Sequence, residues 1–72
     1  MADRQQFSEQ DPRHHTTKLK RMLHDVGEHA REDASKISDA SAQAVFETVA
    51  EVTGALETTI SHLEQRHEQA FR

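Results

Sequence analysis

A long apolar repeat in the C-terminal half constrains this chain more than any other feature of its sequence. Between residues 40 and 70, apolar side chains return every three or four positions, with polar residues between them. That spacing lines them up along one side of an α-helix, on positions a, d and e of a seven-residue pattern. The members of this stripe are Ala42, Val45, Phe46, Val49, Val52, Leu56, Ile60, Leu63, His67 and Ala70. The pattern predicts a helix over about residues 39–70.

A shorter stripe precedes it and predicts another helix over about residues 16–37. Its members are Leu19, Met22, Leu23, Val26, Ala30, Ala34 and Ile37. Pro12 suits a position just ahead of a helix, and Thr16 or Thr17 can cap the first turn. Residues 1–13 show no apolar period, so we expect them to form a flexible arm.

The break between the two stripes predicts an all-α fold, an antiparallel two-helix hairpin. Ser38 and Asp39 are N-cap residues followed at once by a helix-forming run, so the connection should be short. A bent continuous helix is the alternative. Folding at Ser38 would join the stripes in one apolar seam. The expected pairs are Ala34 with Val45, Ala30 with Val49, Val26 with Val52, Leu23 with Leu56, and Leu19 with Ile60.

Small residues within the stripes allow two interpretations. Gly27 costs about 1 kcal/mol relative to alanine inside a helix, so it indicates either a close backbone approach or simple tolerance. Ala50 and Gly54 are four residues apart, a spacing that would let another helix approach closely or would be incidental.

The size of the chain predicts that it associates. A domain of 72 residues without cysteine buries little surface and has no disulfide or thiolate metal site to stabilise it. We therefore expect a homo-oligomer or a complex with a helical protein partner, most simply a four-helix bundle made with a second hairpin. The expected interface residues are Leu19, Leu23, Val26, Phe46, Val49, Val52, Leu56, Ile60 and Leu63.

A basic run at the start of the first helix suggests an anion or nucleic-acid site. Residues 13–21 include Arg13, Lys18, Lys20 and Arg21 and no acidic residue. In the hairpin this run would lie beside Glu57, Glu64 and Glu68, so internal charge pairing is the alternative. The net charge of −4 makes nucleic acid an unlikely partner for the chain as a whole.

Six histidines raise the possibility of a metal site. Glu64 and His67 form the Glu-x-x-His spacing that di-iron carboxylate bundles use. Such a site also needs a glutamate on a facing helix, and the expected register supplies only His14 and His15 there. The candidate metal ligands are therefore His14, His15, His62, Glu64 and His67, with solvated polar histidines as the alternative; His67 lies on the apolar stripe, where its charge could change near pH 6.

Other function classes find no support in the sequence. No nucleophile elbow, phosphate-binding loop, dinucleotide fingerprint or catalytic triad is present, so we expect neither enzyme activity nor a cofactor. No apolar run is long enough to cross a bilayer, and the N-terminal residues lack the apolar stretch of a signal peptide. We therefore expect a cytoplasmic protein that does not bind membranes.

Four short stretches resemble a group of short, uncharacterised proteobacterial proteins. They are HHTTKL (14–19), MLHD (22–25), HARED (29–33) and AVFETVAEV (44–52). The resemblance implies a small, cytoplasmic, α-helical protein and brings no known activity with it. Within these stretches, Arg31, Glu32 and Asp33 should lie near Phe46 at the turn end of the hairpin. They could form a polar docking surface anchored by Phe46, or Phe46 could belong to the core.

Overall fold

The computed structural model describes residues 9–70, and the side chains of residues 9–66. Helix α1 spans Arg13–Ala34 and helix α2 spans Ala40–Ala70. Residues 35–39 connect them, and the described range contains no strand. The two helices pack against each other, which confirms the all-helical prediction. Most of the predicted flexible arm, residues 1–8, lies outside the described residues.

Helix α1 begins three residues earlier than the sequence pattern predicts. Pro12 occupies the N-cap position. The carboxylate of Asp11 accepts a hydrogen bond from the backbone N–H of Arg13 at 2.9 Å and one from its guanidinium at 2.6 Å. An aspartate followed by proline favours a turn that starts a helix. Thr16, expected as a cap, is instead buried within the first turns of the helix.

The connection is held by three polar side chains. The Ser35 hydroxyl donates to the carbonyl oxygen of Glu32 at 2.7 Å, and helix α1 ends at Ala34 rather than at Ile37. The Gln43 amide reaches back from α2 and donates to the carbonyl oxygen of Ala34 at 2.9 Å. At the start of α2, Asp39 Oδ1 accepts the backbone N–H of Ser41 at 3.2 Å, which confirms the predicted cap. Both helix ends at the turn therefore have partners for otherwise unpaired backbone groups.

The two helices run antiparallel, in nearly the expected register. Gln43 contacts Ala34 at the turn, and Lys20 contacts Ser61 far from it. Each of these contacts lies about two residues from the predicted pairing, and the two differences run in opposite directions along α2.

The seam between the helices contains only part of the predicted set. Leu23, Ala30, Ala34 and Ile60 lie in it, whereas Leu19, Val45 and Leu56 are between 44% and 60% exposed. Val26 and Val52, expected as a core pair, are each 50% exposed. The buried apolar residues of the described chain are Ala30, Ala34 and Ala50. The full seam, buried or half-buried throughout, is Thr16, Lys20, Leu23, Gly27, Ala30 and Ala34 on α1, and Gln43, Phe46, Ala50, Thr53, Glu57, Ile60 and Glu64 on α2.

Small side chains explain this choice of seam. A methyl group built on Gly27 would stand 2.6 Å from Thr53 Oγ1, so the close-approach interpretation of this glycine is correct. Ala50 lies in the same contact, whereas a methyl group on Gly54 would meet nothing within 4 Å. Helices that meet through glycine and alanine come close together, and their larger neighbours are then left outside the contact.

The hairpin forms a single layer. Its principal dimensions are 49 × 26 × 15 Å, and the shortest is about the thickness of one layer of helices. Stable domains ordinarily bury their apolar surface between two layers. Both broad sides of this layer face solvent, and no large side chain among the described residues is fully buried.

Candidate interaction surface

Large apolar side chains collect on one broad side of the hairpin, which we call the apolar face. It consists of Leu19, Met22 and Val26 on α1, and Val45, Val49, Val52, Leu56 and Leu63 on α2. Within each helix these positions are three, four or seven residues apart, so they share one side of the helix. Six of the eight are between 44% and 60% exposed, and Val49 and Leu63 are half-buried.

A groove shows that both helices contribute to the same face. It has a volume of about 500 Å³ and lies beside the seam near the turn. Its walls come from both helices: Asp25, Val26, His29 and Ala30 of α1, and Val45, Phe46 and Val49 of α2. Val26 and Val45 are therefore on the same side of the layer, and an apolar side chain could enter between them.

The opposite broad side, which we call the polar face, carries charged and hydroxyl groups. Arg31 Nη1 lies 3.1 Å from a carboxylate oxygen of Glu28, and His24 Nδ1 lies 3.4 Å from one of Glu57. On α2, the exposed residues on this polar side include Glu47, Glu51 and Thr58. The hairpin is thus amphipathic as a whole layer.

An ion pair joins the two helices at the end of the seam far from the turn. Lys20 Nζ donates to Glu64 Oε1 at 2.8 Å and lies 3.3 Å from Ser61 Oγ. Hydrogen bonding from Lys20, and secondarily the nearby Thr16 hydroxyl, holds the pKa of Glu64 below its ordinary value of 4.5. Both side chains are about one-quarter to one-third exposed, so solvent screens the pair and limits its contribution to stability.

The turn end of the apolar face is polar on α1. His29 Nε2 lies 3.0 Å from a carboxylate oxygen of Asp33, one helical turn away. Phe46 is half-buried in the seam and lines the groove beside His29. The burial of Phe46 favours the core interpretation over an exposed docking anchor.

The predicted metal ligands do not form a cluster in the part of the chain whose side chains are described. His14 and His15 are in edge-to-face contact with ring centroids 4.7 Å apart, and His15 Nε2 lies 2.8 Å from the carbonyl oxygen of Glu9. Glu64 is engaged by Lys20, and His62 is exposed. Over these residues, no group of three or more histidine, aspartate or glutamate side chains could hold a metal ion. The side chain of His67 lies outside the described set.

The basic run is partly paired within the hairpin. Arg13 pairs with Asp11, and Lys20 pairs with Glu64, which is one of the three acids predicted to face this run. Lys18 and Arg21 are exposed and take no part in the hydrogen bonds or ion pairs found among the described side chains. Of the four basic residues, Lys20 follows the predicted pairing across the hairpin, whereas Arg13 pairs with an acid two residues away on its own segment.

The predicted interface residues divide between the seam and the apolar face. Leu23, Phe46 and Ile60 are half-buried in the seam. The other six lie on the apolar face: Leu19, Val26, Val49, Val52, Leu56 and Leu63. Sequence reasoning left Met22 and Val45 out of the interface, although both belong to the apolar stripes. Met22 is three residues from Leu19 and four from Val26, and Val45 is four residues from Val49. That spacing from predicted interface residues was the signal that would have included them.

Comparison with known proteins gives no relative from which to transfer a function. No protein-family model, no curated protein and no solved structure matches the chain. The resemblance to short proteobacterial proteins therefore stays a prediction. Within the described residues, neither helix has the length and apolar content needed to span a bilayer.

Proposed function

We propose that this chain is a non-enzymatic interaction protein whose apolar face packs against another helical protein surface. The partner is either a second copy of the chain or a larger complex in which the hairpin serves as a small accessory subunit. One observation carries the proposal: six large apolar side chains are about half exposed on one side of the layer, while the buried apolar residues are three alanines.

The energetic contrast between seam and face supports this function. Full burial of a leucine, valine or methionine side chain contributes about 1.5 to 3 kcal/mol, so covering a half-exposed one contributes about 1 kcal/mol. Alanine side chains contribute much less, and ordering 72 residues opposes folding. Association would add to the apolar stabilisation that the seam provides through Leu23, Phe46 and Ile60.

The shape and chemistry of the face suit a helical partner. Its side chains follow two adjacent helices, so they form ridges of the kind that interdigitate with ridges of other helices. Covering the layer with a second pair of helices would make a four-helix bundle with a two-layer core. The polar face would then form the outer surface, where its ion pairs remain in water.

Light scattering and thermal unfolding at several protein concentrations test the proposal. We expect either an oligomer whose melting temperature rises with concentration, or a monomer with little cooperative structure until a partner is added. A fully helical monomer that melts cooperatively at low micromolar concentration, independently of concentration, would contradict it.

A further inference from the structure

The apolar face has a shape that distinguishes between possible partners. Its row on α2 runs from Val45 to Leu63, whereas its row on α1 runs only from Leu19 to Val26. Closer to the turn, α1 continues this side with His29 and Asp33, whose side chains lie 3.0 Å apart. A well-matched partner must therefore present a long apolar row opposite α2 and a short one opposite α1.

A second copy can cover this face by two simple two-fold rotations. In the first, both turns lie at the same end of the assembly, and α1 of each copy covers α2 of the other. In the second, the turns lie at opposite ends, and each helix covers its own counterpart in antiparallel orientation. A two-fold interface brings the same patch of both copies together, so it must be complementary to itself.

The lengths of the rows favour the second arrangement. When like covers like, the long row of α2 packs over its whole length on its counterpart, whereas in the first arrangement it faces the short row of α1. Each arrangement brings two apolar side chains over Asp33 and His29 of the other copy, Val45 and Val49 in the first and Leu19 and Met22 in the second, so this contact does not distinguish them.

The register fixes where the two-fold axis of the second arrangement would lie. Gly54 stands midway between Val45 and Leu63, the ends of the long row. Since His24 contacts Glu57, and Gly27 is in contact with Thr53, Gly54 is about level with Val26 on α1. An axis at that level brings the two long rows fully over each other.

The outer edge of α1 then becomes complementary in charge. Lys18, Asp25 and Glu32 are seven residues apart and so stand in one line beside the apolar row. An axis level with Val26 exchanges their ends, so that Lys18 of each copy comes within about two residues, or about 3 Å along the helix, of Glu32 of the other. Asp25 lies near its own counterpart at the exposed edge. In the first arrangement Lys18 would instead stand opposite His62, and Glu32 opposite Thr48.

We propose that the occupant of the apolar face is a second copy of this chain, stacked with its turn at the opposite end. The contacts are α1 on α1 and α2 on α2, with two symmetry-related Lys18–Glu32 ion pairs along the edge. This inference rests on the proposed function and adds the identity and orientation of the partner.

Charge reversal measured by sedimentation equilibrium at low salt tests the arrangement. Lys18→Glu and Glu32→Lys should each weaken self-association, roughly three- to thirty-fold, because each change creates two repulsive contacts. The double variant restores both pairs with exchanged charges and should return to within about threefold of the unmodified chain. Asp25→Asn should strengthen self-association, because it removes one like-charge contact near the axis.

Matched controls separate these contacts from net charge and from folding. Glu47→Lys makes the same charge change as Glu32→Lys on the polar face and should have a much smaller effect on self-association. Lys18→Glu places a negative charge near the start of α1, and Glu32→Lys places a positive charge near its end. Both changes suit the helix dipole, so weaker association cannot be attributed to a weaker helix.

Chemical cross-linking gives an independent measure of orientation. The chain has no cysteine, so Lys18→Cys and Glu32→Cys variants each carry a single thiol. A short bifunctional thiol reagent should join a mixture of these two variants into heterodimers. Heterodimers of Lys18→Cys with His62→Cys would instead overturn the opposed orientation.

The outcomes also distinguish this inference from the proposed function. Self-association without rescue by the double variant overturns the orientation and leaves the interaction function standing. A chain that stays monomeric at every concentration overturns the second copy as partner. If that monomer is also fully helical and cooperatively folded, the proposed function fails with it.

Discussion

Gly27 and Thr53 meet across the seam so closely that a methyl group on the glycine would lie 2.6 Å from the threonine Oγ1. The threonine has little freedom to move away. Its hydroxyl donates to the backbone carbonyls of Val49 at 2.9 Å and Ala50 at 3.1 Å, and its side chain is branched at Cβ. This contact sets the distance between the two helices.

We therefore expect Gly27→Ala to destabilise the hairpin by up to about 2 kcal/mol, despite the higher helix propensity of alanine. Overpacking costs about 1 to 3 kcal/mol, and the gain in propensity offsets only about 1 kcal/mol of it. Urea unfolding at a fixed protein concentration measures the change. Gly54→Ala is the matched control: its added methyl group meets nothing within 4 Å, so it should stabilise the protein by up to about 1 kcal/mol.

A double variant checks the cause of this effect. Thr53→Ala removes the atom nearest to the added methyl group, so Gly27→Ala should destabilise much less in the Thr53→Ala background than alone. Equal costs in both backgrounds would show that the contact with Thr53 is not responsible.

Much of the fold could be predicted from the sequence because it depends on local patterns. The 3.6-residue period indicates both helices, and Asp39 provides a recognisable cap for α2. The start of α1 was missed because Asp11 initiates the helix from outside the apolar pattern.

The seam could not be predicted from the same pattern. Each apolar stripe is wide enough to contain two neighbouring rows, one with Gly27 and Ala30 and one with Leu19 and Val26. Hydrophobicity favours the row with the larger side chains, whereas close approach of two backbones favours the row with the smaller ones. That preference depends on Thr53 and Ala50 of the other helix, so a period read along one helix does not reveal it. The six predicted interface residues on the apolar face stand out in the sequence because of their hydrophobicity; their contact with a partner stays a prediction.

The apolar face leads to a prediction about association. Val52→Lys should weaken self-association by roughly tenfold or more, because each copy would bury an unpaired ammonium group in the contact. Light scattering over a dilution series measures the change. Thr58→Lys makes a comparable replacement of a β-branched residue on the polar face and should leave association unchanged. Equal effects of the two variants would argue against the apolar face as the contact.

Acid should weaken the hairpin partly through Glu64. The pKa of its carboxyl group is lower in the folded chain than its ordinary value of 4.5, chiefly because Lys20 donates to it. The unfolded chain therefore takes up this proton first as pH falls, so the contribution is complete above about pH 5 and is lost as pH falls through the folded pKa. Urea unfolding at several pH values should show a shallower acid decline for Glu64→Gln than for the unmodified chain.

Removing the lysine tests the assignment of that effect. In a Lys20→Met background the main cause of the lowered pKa is gone, so Glu64→Gln should change the acid decline much less. An undiminished change would place the cause outside this ion pair.

The turn should depend on one side-chain amide. Gln43→Met keeps the length of the side chain but removes the donor to the Ala34 carbonyl, so we expect a loss of about 1 kcal/mol in the free energy of unfolding. Gln65→Met, at an exposed position of α2, is the matched control and should have little effect. Chemical denaturation at a single concentration compares them.

The separation of the seam from the apolar face has a consequence for how such a chain can evolve. The packing of the helices and the proposed partner contact use different residues: small volume is required at Gly27, Ala30 and Ala50, whereas Met22 and Val45 of the apolar face need only be apolar. Substitutions on the face could therefore change the binding partner without altering how the two helices pack. Substitutions at these three seam positions are more restricted, because larger side chains there would push the two backbones apart.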